Sequence, residues 1–387
     1  MSGNARTKTR ASGTPRAATK TRSPEHRIDS VDAIAYVIPT DQPEADGTLE
    51  WDSTTMVFAE VGSGDQKGIG YTYAHKGTAL IIADPLRDVL LGGNALDIPA
   101  SWTSMYRSLR NIGRPGMGLM AMAAVDHALW DLKGKLLDLS VVDLLGRCRP
   151  DVPVYGSGGF TSYSIKRLQQ QLSGWVEQGI PRVKMKVGTN PAVDPSRVRA
   201  ARKAIGDEAR LMVDANGGYS RKQALALALD FAGQQVCWFE EPLPSRDLDG
   251  LRLMRDRAPA DMDITAGEYG WGVDYFRGML QAGAVDTLQI DSTRCGGFTG
   301  FLQCAAVAQG FNIPVSAHCA PHLHAHVCSA IPELEHVEYF HDHVRIESMF
   351  FDGLPTLHEG ALWVDARQPG LGLTLKQQDV ERYRVDA

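Results

Sequence analysis

Val183-Lys184-Met185-Lys186-Val187-Gly188 is the stretch from which the fold of this chain can be read. It alternates apolar and charged residues and stops at a glycine, the pattern of a short strand in which residues i and i+2 share a face. Lys184 and Lys186 therefore project together, with Val183 and Met185 opposite. Two ammonium groups crowded on one buried face repel. That repulsion, with desolvation, is expected to lower the pKa of at least one of them and make it a candidate general base. The alternative is a solvated pair on an edge strand, and the rest of the chain decides between the two.

Working outward, short apolar runs like this one recur near 153–155, 211–214, 236–239, 263–266, 286–290, 313–316 and 336–339. Most are separated by helical patterns, among them Ser162–Glu177, Pro195–Ile205, Arg221–Ala232, Asp274–Ala282 and Gly300–Gln309. Strands alternating with helices at this spacing predict a parallel sheet, and eight such units predict a closed β/α barrel. Upstream, residues 28–38, 54–61 and 68–74 read as three strands of an antiparallel meander. The polar stretch Thr40–Asp52, with Asp41, Glu44, Asp46 and Glu50, reads as a long lid loop. Residues 76–145 read as helical, most clearly 118–137, where Ala121, Ala123, Ala124 and Ala128 allow close packing. Asp126, His127 and Asp131 in that helix read as structural residues. Leu144-Leu145-Gly146 looks like a final helical turn with a glycine stop. The boundaries expected are a basic disordered tail over 1–27, an α+β domain over 28–150 and the barrel over 151–351. A segment over 352–387 is expected to return to the first domain.

Composition narrows the function. The chain has 387 residues and a net charge of −6. Residues 1–27 hold seven Lys/Arg and one Glu, so the body carries −12. An acidic body argues against nucleic acid as the main partner, and the basic tail reads as a dispensable extension. No apolar run has the length of a membrane span, and the first residues lack the apolar core of a secretory signal. Six cysteines without a CxxC pair read as reduced thiols, so a cytoplasmic setting is expected.

The active site of a β/α barrel lies at the C-terminal ends of its strands. Those ends carry Lys184 and Lys186, then Asp214 in VDANGGY, Glu240 and Glu241 in WFEEPL, Glu268 in TAGE, Asp291 in LQIDSTRCGG and His318 in VSAHCAPH; the eighth strand carries Glu338. Asp214, Glu240 and Glu268 come from three consecutive strand ends. Converging carboxylates need a cation, and all-oxygen ligation favours Mg2+. Asp291 beside His318 would fix the imidazole tautomer and raise its pKa. His322, His324 and His326 have the HxH spacing of a zinc site, but no thiolate or second histidine pair completes a tetrahedron. Some of them are expected to line the pocket or face solvent. A lysine pair on one side, a His–Asp pair on the other and a metal between suit proton abstraction next to a carboxylate.

In this combination and order, KMK, VDANGGY, FEEPL, AGE, DSTRCGG and SAH, with AMAAVDHALWDLKGK upstream, resemble the mandelate racemase subgroup of the enolase superfamily from about residue 28 onward. The resemblance implies an α/β, enolase-like architecture: an α+β capping domain over a modified (β/α)7β TIM barrel. It implies Mg2+ on Asp214, Glu240 and Glu268, with Glu241 behind them. It implies Lys186 as base on one face, Lys184 lowering its pKa and touching the substrate carboxylate, and His318, oriented by Asp291, as acid/base on the other face. Glu338 would donate from a protonated carboxyl to the substrate carboxylate, and Asn216 would reach the substrate. A homo-oligomer is implied by the family alone.

A racemase of mandelate needs an apolar pocket for a phenyl ring, whereas the stretch Thr40–Asp52 is acidic and 318–326 is rich in histidine. The better match is a dehydratase of polyhydroxylated sugar acids, in which Lys186 takes the α-proton and His318 protonates the departing β-hydroxyl. Racemases, epimerases and lactone cycloisomerases would use the same residues. A non-catalytic sugar-acid binder is the distant alternative, and it would not need Lys186 and His318 together.

Overall fold

The structure, a computed structural model, describes residues 25–386. Of the expected basic tail, residues 1–24 lie outside the described residues. Arg27 already forms an antiparallel bridge with Asn94, and the Ala95 amide donates to the His26 carbonyl at 2.8 Å.

Three antiparallel strands open the chain: β1 (Ser30–Ala45), β2 (Glu50–Ser63) and β3 (Gln66–Tyr73). The helix Met117–Leu137 lies directly on β3. A Cβ on Gly68 or Gly70 would overlap the backbone at Ala124, Ala128 and Leu132, so the glycines of the strand and the alanines of the helix are what allow this contact. Asp126, His127 and Asp131 hold the packing, as the sequence predicts. Asp126 accepts from the Thr299 amide and hydroxyl, and His127 Nδ1 donates to the Tyr71 carbonyl. Asp131 accepts at 2.7 Å from each of the Ile69 amide, the Leu371 amide and Lys135 Nζ. Asp131→Ala would leave two buried amides without acceptors, at a cost of about 3 kcal/mol or more. Urea unfolding should show this, and a loss below about 0.5 kcal/mol would exclude the role.

The lid differs from the expected loop. β1 and β2 run on as a paired arm, with Glu44 opposite Trp51 and Ala45 opposite Glu50, and the register shifts between Pro39 and Glu44. Only residues 46–49 turn. The acidic residues that read as loop are consumed in making it: Asp46 Oδ1 accepts the Thr48 and Leu49 amides at 2.6 and 2.7 Å, and buried Glu44 accepts Trp51 Nε1 at 2.9 Å. Burial and the nearby Asp342 push Glu44 up to about 9. Gly47 lies so close to the Ala215 and Val187 carbonyls that any Cβ would overlap them, which seats the turn on the barrel mouth.

Eight parallel strands form the barrel: β4 (Val152–Gly158), β5 (Arg182–Lys186), β6 (Arg210–Asp214), β7 (Val236–Glu240), β8 (Asp263–Ala266), β9 (Thr287–Ile290), β10 (Val315–Ala317) and β11 (Leu334–Phe340). Pairing of β11 with β4, Val337 opposite Val154, closes it. Each strand is close to its predicted place. Three helices that the apolar periodicity does not announce, Leu248–Arg257, Pro321–Cys328 and His341–Phe350, complete the connections. The chain then returns to the first sheet, where Val385 and Arg384 pair with Ala35 and Tyr36 of β1. No helix among the described residues is long and apolar enough to cross a membrane.

Candidate active site

Parallel register places the reactive residues side by side. Lys186 pairs with Asp214 at the ends of β5 and β6, and Asp214 with Glu240 at the end of β7. Glu268 follows β8 by two residues, while Asp291 and His318 immediately follow β9 and β10. Every sequence-predicted site residue is buried, the most exposed being Asn216 at 7%.

Lys184 sits beneath the mouth with Glu240 Oε1 and Oε2 both at 2.6 Å, Glu338 Oε1 at 2.8 Å and Asp214 Oδ2 at 3.7 Å. Lys186 Nζ is 2.5 Å from Asp214 Oδ2. The expected lowering of a lysine pKa is overturned. Burial pulls both lysines down and they repel each other, but Glu240, Glu338 and Asp214 hold Lys184 well above its ordinary value, and Asp214 does the same for Lys186. The expectation of a protonated Glu338 is overturned too. Burial opposes its charge, but Lys184 and His318 hold it well below the usual carboxylate range. It accepts from the Ser157 hydroxyl at 2.6 Å and the Cys319 amide at 3.0 Å. Lys184 and Glu338 are fully buried beneath the cavity, and neither lines it.

Asp214, Glu240 and Glu268 offer one oxygen each within 4.8 Å of one another. Three observations make this trio a fit for a hard divalent cation. All donors are carboxylate oxygens. Glu268 Oε2 is buried and makes no hydrogen bond. The floor is short of positive charge, since Asp214, Glu240, Glu268 and Glu338 face two ammonium groups, and burial with the neighbouring Asp214 pushes Glu240 up to about 8. Glu241, behind the trio, also carries a buried oxygen without a partner.

On the opposite side, His318 Nδ1 is 2.8 Å from Asp291 Oδ2. Asp291 is also held by the Thr293 amide and hydroxyl, both at 2.7 Å. The imidazole proton is thereby placed on Nδ1, and Nε2 faces Glu268 Oε2 at 3.4 Å and Cys319 Sγ at 3.3 Å. Burial disfavours the imidazolium, but Glu268 and Glu338 outweigh it and raise the His318 pKa.

A cavity of about 420 Å³ joins the two sides, and Lys186, Asn216, Glu268, Asp291 and His318 all line it. Several lining residues escape the sequence reading. Arg294 lies within the quoted DSTRCGG motif, which was its only signal; its Nη1 donates to the Glu268 carbonyl at 3.0 Å and its Nε lies 3.6 Å from Asp291. Cys319, next to His318, takes a left-handed backbone at φ 54°, followed by Ala320 at φ 37°, a strain that turns the chain at the site. Trp51 reaches the cavity from the stretch read as a lid, while Tyr73 and His75 of the cap and His343 of the helix after β11 reach it with no motif to flag them. The expectation for the other histidines is corrected. His322, His324 and His326 belong to a buried helix, and none lines the cavity or faces solvent. His322 pairs with Glu347, while His324 bonds the Cys319 carbonyl and the Ser292 amide, so no HxH metal site forms.

Comparison with known proteins agrees with this architecture. Residues 43–146 match the mandelate racemase / muconate lactonizing enzyme N-terminal domain, and residues 167–380 match the enolase C-terminal domain-like family. The chain is 32% identical to the L-talarate/galactarate dehydratase of Salmonella typhimurium, over 84% of this chain and 81% of that one. It is 31% identical to the D-galactarolactone cycloisomerase of Agrobacterium fabrum, over 78% and 77%. A solved mandelate racemase/muconate lactonizing enzyme-like protein from Rubrobacter xylanophilus superposes with a TM-score of 0.91 at 52% identity, covering 93% of this chain and all of that one. The L-talarate dehydratase of Polaromonas sp. JS666, complexed with Mg and L-glucarate, superposes with a TM-score of 0.84 at 31% identity, covering 94% and 98%.

Proposed function

Since the chain belongs to the mandelate racemase/muconate lactonizing enzyme family of the enolase superfamily, we propose that it is a hydro-lyase acting on polyhydroxylated sugar acids, giving 2-keto-3-deoxy acids. The observation that carries this reading is the placement of Lys186 and the His318–Asp291 pair on opposite sides of one cavity, with three carboxylates between them. Two relatives with sugar-acid substrates in their names, and a neighbour complexed with Mg and L-glucarate, support the substrate class.

Asp214, Glu240 and Glu268 would hold Mg2+. Bound there, the ion supplies positive charge to stabilise the enolate that forms when the α-proton leaves, and it takes up carboxylate oxygens that here hold the two ammonium groups. Lys186, the lysine that reaches the cavity, accepts the α-proton as a free amine. Lys184 is the fixed positive charge beneath it, locked by Glu240 and Glu338, and its repulsion favours the neutral form of Lys186. His318 delivers a proton from Nε2 to the departing β-hydroxyl, and Asp291 stabilises the imidazolium that precedes this transfer. Asn216 and Arg294 bound the space in which the acid lies.

Asp291→Asn would remove the anion that fixes the ring, and an amide can equally donate to Nδ1 and impose the wrong tautomer. Turnover should fall by about 10²–10⁴-fold with Mg2+ affinity retained. A kcat within threefold of the parent would exclude the pair.

Proton NMR in D2O with Mg2+ and a panel of C4–C6 sugar mono- and diacids tests the whole reading. A 2-keto-3-deoxy product is the expected result. Deuterium at the α-carbon without loss of water would replace it with racemisation or epimerisation, and ring opening of a lactone would replace it with cycloisomerisation, the activity named for one relative.

A further inference from the structure

The arm and the helix after β11 bring together a second group of metal-binding side chains. A regular strand sends residues i and i+3 to opposite faces. In β1 the register shift breaks that rule: between the pairs Pro39–Ser53 and Glu44–Trp51, four residues of β1 stand against Asp52 alone. Asp41 and Glu44 thereby converge, and His341, the first residue of the helix His341–Phe350, meets them. Each of the three offers one donor atom within 4.8 Å of the other two, and His341 Nε2 lies 3.1 Å from Asp41 Oδ2. None of the three lines the cavity at the barrel mouth.

Asp41 with His341 alone would be an ordinary pair at the surface, since both side chains are partly exposed. Glu44 is what makes the group a candidate site. It is fully buried; its Oε2 accepts Trp51 Nε1, and its Oε1 has no hydrogen-bond partner among the described residues. A carboxylate oxygen buried without a donor is costly unless a proton or a cation meets it. The Tyr163 hydroxyl is in the same position: it is buried without a partner, and burial, Glu44 and Asp41 together push its pKa up to about 12. The cations already nearby do not answer Glu44. Arg345 is held by Asp342 and the Pro39 carbonyl, and Arg167 lies 3.6 Å from Asp41 with 31% of its side chain exposed.

We propose that Asp41, Glu44 and His341 form a second cation site, which takes a divalent transition-metal ion and ties the arm to the barrel. Two carboxylates favour a hard ion and the imidazole a borderline one, so Mn2+ or Zn2+ fits the set better than Mg2+. His341 ligates through Nε2 with its proton on Nδ1. The site lies outside the acid-sugar chemistry and does not depend on that reading. It acts on the arm, whose turn is seated on the barrel mouth at Gly47.

The test counts bound Mn2+ by electron paramagnetic resonance on the full chain carrying Glu268→Gln, which weakens the barrel site and leaves this one. One Mn2+ per chain should stay bound, and His341→Ala or Glu44→Gln in the same background should weaken it by about tenfold or more. Glutamine keeps the shape of Glu44 and an acceptor for Trp51, and His341 is exposed enough to be truncated without opening the core. Hydrogen exchange of amides 40–52 should slow by about threefold or more on adding Mn2+, and should not respond to Mn2+ once His341 is alanine. No ion on the Glu268→Gln chain, an ion that survives both substitutions, or an ion bound without effect on exchange in the arm would overturn the proposal. Product formation by the unsubstituted chain is read separately, so the cation site and the dehydratase reading can each fail alone.

Discussion

Lys186→Ala is expected to reduce turnover by about 10⁴-fold or more, because no other side chain on that side of the cavity can accept the α-proton. Lys184, two residues away, cannot substitute: it is fully buried and held by Glu240, Glu338 and Asp214. Metal affinity should hold or rise, since the substitution removes an ammonium group that competes for Asp214 at 2.5 Å. Exchange of the α-proton with D2O should be lost together with product. The combination matters, because a damaged metal site would also abolish turnover but would weaken Mg2+ binding. Turnover within tenfold of the parent would remove Lys186 from the role of base and point to His318 acting alone.

Glu268→Gln should produce the second large effect. The substitution keeps shape and removes one of three anionic donors, so Mg2+ affinity should fall by about 10²-fold, in line with the dependence of such sites on ligand charge. Turnover at subsaturating Mg2+ should fall at least as far, and high Mg2+ should restore part of it. Glu268 is also the carboxylate nearest His318 Nε2, at 3.4 Å, so some loss of kcat should persist at saturation. Unchanged affinity would exclude Glu268 from the ligand set. Chelation of the parent enzyme should abolish turnover reversibly, and full activity in excess chelator would discard the metal site altogether.

The barrel was legible because its signals are local. An apolar run of four or five residues between helical patterns marks a strand wherever it ends up, and Lys186, Asp214, Glu240, Glu268, Asp291 and His318 stand at run ends where a structural strand would have no use for a charge. The lid was misread for an equally physical reason. A stretch rich in Asp and Glu has the composition of a loop, and only the pairing of Glu44 with Trp51 and the capping of residues 46–49 by Asp46 show that the acids are spent on making an arm. The three histidines after His318 were misplaced because burial of the short helix Pro321–Cys328 depends on what packs over it. His75 and His343 carried no signal, being a lone histidine after a strand and another in a helix that apolar periodicity does not mark.

What the sequence determined by itself is the order of elements and the identity of the groups at the barrel mouth, since strand register and side-chain alternation follow from the chain's own periodicity. What the tertiary structure alone decided is the charge each group carries and the surface it presents. Lys184 and Lys186 are neighbours in sequence and repel each other, yet both are held charged, because carboxylates from β6, β7 and β11 close around them. A pKa is the sum of burial and of every charge within a few ångströms, and those neighbours arrive from parts of the chain that can lie more than a hundred residues away.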